Sequence, residues 1–207
     1  VRDPTVQTFV PRLVRALDRA VSYSEGVLAY GRTQEPPPRR RRLCLAQLVD
    51  EVNAMLGLAS TAGIEFANKV AADVEIDADA EQLFRVLLNL SRNAVQAMAD
   101  DDDKAVVKLL TIGAERKGGV CRITIEDTGP GLPPKARDNL FSAFRGSARS
   151  GGTGLGLAIA HELVRAHGGM IELVESRGGR TVFAIEIPDQ PVELETARMA
   201  RLSTGGG

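Results

Sequence analysis

Three consecutive prolines, Pro36 to Pro38, followed by four arginines, Arg39 to Arg42, restrict most severely what this 207-residue chain can fold into. Proline removes a backbone N–H and fixes φ, and adjacent like charges repel, so neither a helix nor a central strand runs through this stretch. The chain is therefore divided into a part before the run and a part after it. The run reads as a linker, a solvated hinge. The 26 basic and 27 acidic residues leave a formal net charge of -1, with no overall field for nucleic acid or an anionic membrane.

Before the linker, Val6, Val10, Leu13, Leu17, Ala20, Ser24 and Val27 step alternately by four and three. That is the heptad spacing of one helix packed into a bundle, with Ser24 its one soft layer. Arg12, Arg15, Asp18, Arg19 and Glu25 fall mostly off the seam, and the helix is predicted to end near Gly31.

After the linker the pattern is mixed. LCLAQLVDEVNAMLGLA reads as a short strand feeding an amphipathic helix with Leu45, Leu48, Val49, Val52, Met55 and Leu56 on one face. IEFANKV and DVEID are short strands, and Asp79 with Gln82 forms a capping-box start for the long helix AEQLFRVLLNLSRNAVQAM. Beyond an acidic loop, AVVKLLTIGAE and GVCRITIED alternate about a Lys117-Gly118-Gly119 turn, as an antiparallel pair does. A short helix near Ala136 to Phe144, the helix GLGLAIAHELVRAH and the hairpin MIELVES-RGGR-TVFAIEIP complete the predicted core. Strands and helices mix without regular alternation, which predicts an α+β fold with helices on one face of a sheet. The expected organisation is a bundle helix over 1–31, a linker over 32–42, a domain over 43–188 and a tail over 189–207.

Composition excludes several other classes. An apolar fraction of 43% is that of an ordinary globular chain. Cys44 and Cys121 stand alone in apolar, strand-like contexts without metal-ligand spacing, as expected for core thiols in a reducing compartment. No run of about 18 apolar residues occurs, and the start VRDPTVQTFV lacks the regions of a secretory signal. That start also lacks methionine, so a fragment of a longer polypeptide is expected, cytoplasmic itself, with any membrane attachment supplied by segments outside it.

Three motifs carry chemistry. Asn89, Asn93 and Gln96 follow i, i+4, i+7 spacing and lie on one face of the long helix, apart from the apolar stripe Leu83, Leu87, Leu90, Ala94 and Met98. Amide oxygens one turn apart can fill part of a magnesium shell or meet phosphates without carboxylate repulsion; a polar face in water is the simpler alternative. Next, Asp127-Thr128-Gly129-Pro130-Gly131 ends a strand with a carboxylate able to accept from an exocyclic amine, on a backbone that glycines let turn sharply. A plain turn has the same look. Last, Gly151-Gly152-Thr153-Gly154-Leu155-Gly156 runs straight into a helix, so free amides and the helix N-terminus form an anion site.

In this order, NLSRNA, DTGPGLP, LFSAFRG and GGTGLGLAIA resemble the asparagine box, first glycine box, phenylalanine box and second glycine box of the histidine kinase branch of the gyrase, heat-shock-chaperone, histidine kinase and MutL ATPase superfamily. The resemblance runs from Leu43 to Pro188. It implies a two-layer α/β sandwich of the Bergerat type, with ATP between the long helix and a lid. By the same resemblance Asn93 is the magnesium ligand, Asn89 the second asparagine of the catalytic pair, and Asp127 the adenine-reading carboxylate with Gly129 and Gly131 shaping its loop. Gly152, Thr153, Gly154, Leu155 and Gly156 form the phosphate side, Thr181 supports adenine through water, and Phe141 and Phe144 anchor the lid hinge. Arg145 and Arg149 are placed to reach the terminal phosphates or to stand as solvated arginines, and Gln96 replaces the lysine or histidine of many members.

In the hydrolytic branches the resemblance puts glutamate at the position of Asn89, as general base. An amide cannot take a proton, so transfer to a protein nucleophile is expected over hydrolysis. The acceptor would be a histidine. The only two, His161 and His167, lie on the helix opened by the phosphate-side glycines, and His167 fits the structural histidine of the family's HGG ending. The helix from Val6 to Tyr30 instead resembles the second helix of the dimerisation and phosphotransfer hairpin, whose first helix would lie before Val1. The expected partners are thus a second copy, through a four-helix bundle, and a response-regulator receiver domain. Two competing readings of the same fold are a non-catalytic phosphotransfer scaffold and an anti-sigma serine kinase; the heptad helix disfavours the latter.

Overall fold

The computed structural model describes residues 36–58, 63–101, 107–137, 140–142 and 155–190. The heptad helix, the Phe144, Arg145 and Arg149 segment, Gly152 to Gly154 and the tail lie outside them. In chain order the elements are β1 (Arg41–Cys44), α1 (Leu45–Leu56), β2 (Ile64–Asn68), β3 (Glu75–Ala78), α2 (Ala80–Ala99), β4 (Lys108–Lys117), β5 (Val120–Asp127), α3 (Pro134–Arg137), α4 (Gly156–Ala166), β6 (Met170–Arg177) and β7 (Arg180–Pro188).

The two alternating segments about Gly118 form the expected antiparallel pair, from Leu110 opposite Asp127 to Lys117 opposite Val120. Gly118 turns the chain at φ 59°, a left-handed conformation that side chains disfavour. Five strands order as β2-β4-β5-β7-β6, with β2 parallel to β4 and the other pairs antiparallel, while β1 and β3 make a separate two-stranded ribbon.

Alternation decides the two faces of the main sheet. Cys121, Ile123 and Ile125 of β5 and Phe183, Ile185 and Ile187 of β7 are buried against the apolar stripes of α2 and α4 in one core. On the opposite face Arg122 bonds Glu172 and Glu186, and Arg180 bonds Glu126 and Glu175. Helices on one face and a ladder of charges on the other make the α+β, two-layer fold that the sequence predicts. Among the described residues no helix is long and apolar enough to cross a membrane.

Several local expectations are corrected. Met55 is 58% exposed, because the buried stripe of α1 stops at Val52. Cys44 is only half-buried at the end of β1, so Cys121 alone is a core thiol. Of the helix expected from Ala136 to Phe144, the described residues hold the end of the single turn α3 and a turn at Leu140 and Phe141. The start of α3 suits proline at the first helical position, and the loop before it is tied to β6, where the Leu132 N–H donates to Ser176 Oγ at 2.8 Å.

The capping box at α2 is only half present. Asp79 Oδ1 accepts from the Glu81 and Gln82 N–H groups, both at 3.1 Å, but Gln82 Nε2 donates to Pro36 O instead of reaching back. Nor is the arginine run solvated throughout. The Arg40 side chain is 5% exposed and donates to three carbonyls, those of Asp77, His167 and Pro188.

Candidate functional site

β5 and β7 pair so that Asp127 stands opposite Thr181, at the last residue of one strand and near the first of the other. Both face the helix layer, where alternation carries on from Ile125 and Phe183, and each is only 4% exposed. A carboxylate this buried needs donors. The Gly129 N–H supplies one, donating to Asp127 Oδ1 at 2.9 Å across a tight turn.

The glycines of that turn are required by space. A Cβ on Gly129 would meet Asp127 Oδ1 at 2.8 Å and Met98 Cγ at 3.4 Å, so the turn lies on the last turns of α2. Gly131 has φ +80°, and a Cβ there would lie 2.9 Å from the Arg177 carbonyl oxygen. The Gly179 N–H donates to Gly129 O at 3.0 Å, so the β6–β7 hairpin holds the turn from the other side. Thr128 anchors it to β4: its Oγ1 donates to Val107 O at 2.8 Å and accepts from the Leu109 N–H at 2.9 Å.

Along α2, Asn89, Asn93 and Gln96 are all half-buried, while Leu87, Leu90, Ala94 and Met98 between them are buried in the core. The amide row therefore borders the core at the rim of the helix layer. At its start α4 approaches closely, and a Cβ built on Gly156 would lie 3.8 Å from Asn89 Cβ and Cγ. Among the described residues no side-chain bond caps α4 at Leu155, and a helix N-terminus favours negative charge.

These contacts give α2 two neighbours at different levels: Gly156 at Asn89 and the Asp127–Gly129 turn at Ala97 and Met98. Eight residues of helix separate Asn89 from Ala97, a span of about 12 Å. The buried carboxylate and the start of α4 thus stand at two separate levels of the helix. Leu155 is buried immediately before α4. Phe141 stacks on His161 of α4, with ring centroids 5.1 Å apart and planes at 22°. The structure thus brings together Asn89, Asn93, Gln96, Asp127, Gly129, Gly131, Leu155, Gly156 and Thr181. Gly152, Thr153, Gly154, Arg145 and Arg149 fall outside the described residues.

Residues 78–191, which hold the strand-end carboxylate, the amide row and the α4 start, match the family described as histidine kinase-, DNA gyrase B- and HSP90-like ATPase. The chain belongs to that family. Within it the chain is of the sensor histidine kinase kind and carries that kind's ATP-binding domain. It is similar to the sensory histidine kinase/phosphatase NtrB of Salmonella typhimurium, 42% identical over 119 residues, which cover 55% of this chain and 34% of that protein. NtrB of Vibrio alginolyticus is 31% identical over 193 residues, 90% of this chain and 53% of the relative. The chain therefore spans between a third and about half of these relatives' length. Among solved structures, full-length ShkA in complex with AMPPNP superposes with a TM-score of 0.71 at 29% identity, covering 88% of this chain and 38% of ShkA. The histidine kinase ThkA in complex with the response regulator TrrA gives 0.72 at 25% identity, covering 93% of this chain and 54% of the other.

Sequence reasoning missed the far end of the two helices of this family's site. Asp79 and His167, 88 positions apart, meet there: the Asp79 N–H donates to His167 Nε2 at 3.0 Å. His167 Nδ1 lies 2.8 Å from Leu163 O, so the ring is neutral, with Nδ1–H donating and Nε2 accepting. Burial holds its pKa below the ordinary histidine value. Only the helix-ending position of His167 was visible in the sequence; its partner comes from tertiary packing.

Proposed function

We propose that this chain is the catalytic part of a two-component sensor kinase, binding Mg-ATP along α2 and passing the γ-phosphoryl group to a histidine on a stalk helix, for relay to a response-regulator aspartate. The observation that carries the reading is the division of the α2 surroundings into a buried carboxylate end at Asp127 and Thr181 and a helix start at Gly156, with Asn89 at the latter.

The residues present fit such a ligand. Asp127, fixed by the Gly129 N–H, accepts from the adenine amine, and Thr181 beside it is within reach of the same ring through water. Gly129 and Gly131 let the turn that holds Asp127 pack on α2 and the hairpin, because a Cβ at either would collide with them. Asn89 and Asn93 present amide oxygens to magnesium and phosphate without adding negative charge, with Asn93 as the metal ligand and Gln96 a neutral neighbour. Gly156 opens α4 beside Asn89; Gly152, Thr153, Gly154 and Leu155 are assigned to the phosphates, and Arg145 and Arg149 to their cations, by the family resemblance alone.

Bound Mg-ATP supplies the transferable group and the cation that offsets its charge. The chain's own side chains position it. Asn89 cannot deprotonate water, so the site favours an incoming histidine nitrogen, which forms the N–P bond as the bridging P–O bond breaks and ADP leaves. ThkA in complex with TrrA supports a response regulator as downstream partner, and the heptad spacing from Val6 to Val27 supports a homodimer, with the fragment cytoplasmic.

Titration calorimetry tests the nucleotide assignment. Wild type is expected to bind Mg-ATP, and Asp127→Asn to lose at least about tenfold in affinity, as when a charge-assisted bond of a buried carboxylate is lost. Equal affinities in the two proteins would refute the role of Asp127.

A further inference from the structure

Helices α2 and α4 pack against each other in antiparallel directions. Gly156, at the start of α4, meets Asn89 in the middle of α2, and His167, just past the end of α4, meets Asp79 at the N-cap of α2. The two meeting points are about 15 Å apart along either helix at 1.5 Å per residue. Two rods in contact can slide or rotate unless something fixes both at one level, and small shifts of packed helices are a common structural transition. Something does so at the His167 end.

That fixture comes from the segment before β1. The Arg39 N–H donates to Asp79 Oδ2 at 2.9 Å, leaving Oδ1 to cap α2. The Arg40 guanidinium donates through Nη1 to His167 O at 2.8 Å, through Nε and Nη2 to Asp77 O at 3.2 and 2.7 Å, and through Nη2 to Pro188 O. Pro36 O accepts from Gln82 Nε2 at 3.0 Å, on the first turn of α2. One short stretch therefore joins the start of α2, the end of α4, the end of β3 and the end of β7. Arg40 has none of its reach in the nucleotide site, yet its side chain is 5% exposed.

We infer that Pro36 to Arg40 is a positioning element for the phosphate end of the site: docked Arg40 fixes the register of α4 against α2 and thereby the placement of Gly156 on Asn89. The adenine end is set separately, by the β5–β7 register and the hairpin contacts of Gly129 and Gly131. A displacement of this segment is thus transmitted to the phosphates and not to the base. Arginine suits the task because its rigid planar fork spreads five N–H donors over carbonyls of separate elements, where lysine offers three on one compact, rotating ammonium. The consequence for catalysis rests on the nucleotide reading above; the consequence for helix register does not.

The test compares the 207-residue chain with its Arg40→Ala variant and with Leu48→Ala, a core deletion on α1 serving as a destabilised control. Mg-ATP and adenosine affinities are measured by calorimetry, and amide hydrogen exchange is followed in the ligand-free proteins. Arg40→Ala is expected to lose about tenfold in Mg-ATP affinity, a misplacement effect, with adenosine affinity unchanged. Exchange over residues 89–93 and 156–160 is expected to rise, while Leu48→Ala leaves the Mg-ATP and adenosine affinities as in wild type. An equal loss for adenosine, or a Mg-ATP loss no larger than in Leu48→Ala, overturns the inference. If wild type binds no Mg-ATP, the nucleotide reading fails and exchange alone decides the register: raised exchange in the two segments supports it, unchanged exchange overturns it. Should Arg40→Ala not fold, Arg40→Lys, which keeps the charge and loses the fork, is put through the same measurements.

Discussion

His167 uses both ring nitrogens on backbone groups, Leu163 O and the Asp79 N–H, and only a neutral ring can do so. Burial lowers its pKa most; the Leu163 bond opposes this, Arg40 lowers it further, and Asp79 and Asp77 raise it. For Asp79 burial raises the pKa, but the N–H groups of Gln82, Arg39 and Glu81, with His167, outweigh it and leave the carboxyl below its ordinary value. Both groups then act in the same direction. The unfolded chain takes up the His167 proton near the ordinary 6.5 before the folded one does, so this stabilisation is complete above that pH and is lost as pH falls. The Asp79 contribution is complete above 3.8 and is lost only in stronger acid. The urea midpoint is accordingly expected to drop between about pH 8 and about pH 5.5. His167→Gln should lose that slope and cost about 1–3 kcal/mol at the higher pH, as its backbone partners go unsatisfied. A wild-type midpoint flat across this range would contradict a neutral buried ring.

Among elements, the turn after β5 and the start of α4 both depend on glycine, for different reasons. At Gly131 the backbone is left-handed and a Cβ would strike the Arg177 carbonyl, which belongs to a strand and cannot yield. Gly131→Ala is expected to cost about 1–3 kcal/mol, combining backbone strain with displacement of the hairpin, and to weaken nucleotide binding because the Asp127 turn moves with it. Gly156 is helical, and a Cβ there would make ordinary contact with Asn89 at 3.8 Å. Gly156→Ala is therefore expected to keep its melting temperature within a few degrees, as a single alanine in a helix does no harm, while losing Mg-ATP affinity through the methyl set against the Asn89 amide. Thermal melts and calorimetry on the pair separate a structural glycine from one that leaves room for ligand; equal losses of melting temperature would erase the distinction.

For the molecule as a whole, the question is where the phosphoryl group goes. The chain has two histidines, both on or at the end of α4. His167 is enclosed with both nitrogens engaged, and His161 is stacked on Phe141 on the same helix whose start is proposed to meet the phosphates. A helix cannot bring its own later turns to a ligand at its N-terminus. Incubated with labelled ATP, the chain is expected to gain no acid-labile phosphate, and to phosphorylate a supplied stalk helix bearing a histidine in trans. Stable label on His161 or His167 would overturn this assignment.

How far the sequence alone carries depends on the range of the interaction involved. Alternation in β4 and β5, the apolar stripe of α2 and the row Asn89, Asn93, Gln96 are local periodicities, so the elements and the face bearing the amides were legible from residue spacing. So were the turn glycines, since a left-handed or crowded backbone leaves few other choices. The sequence could not decide which strands are neighbours, and therefore not that Thr181 stands opposite Asp127. Nor could it show that Asp79 and His167 meet, or that one arginine of an apparently solvated run is buried among three carbonyls. Each of those depends on chain segments 37 to 148 positions apart, whose contacts are set by how the sheet and two helices close on one core. The sequence determined the parts and the chemistry they carry; only the tertiary structure decided which of them face one another.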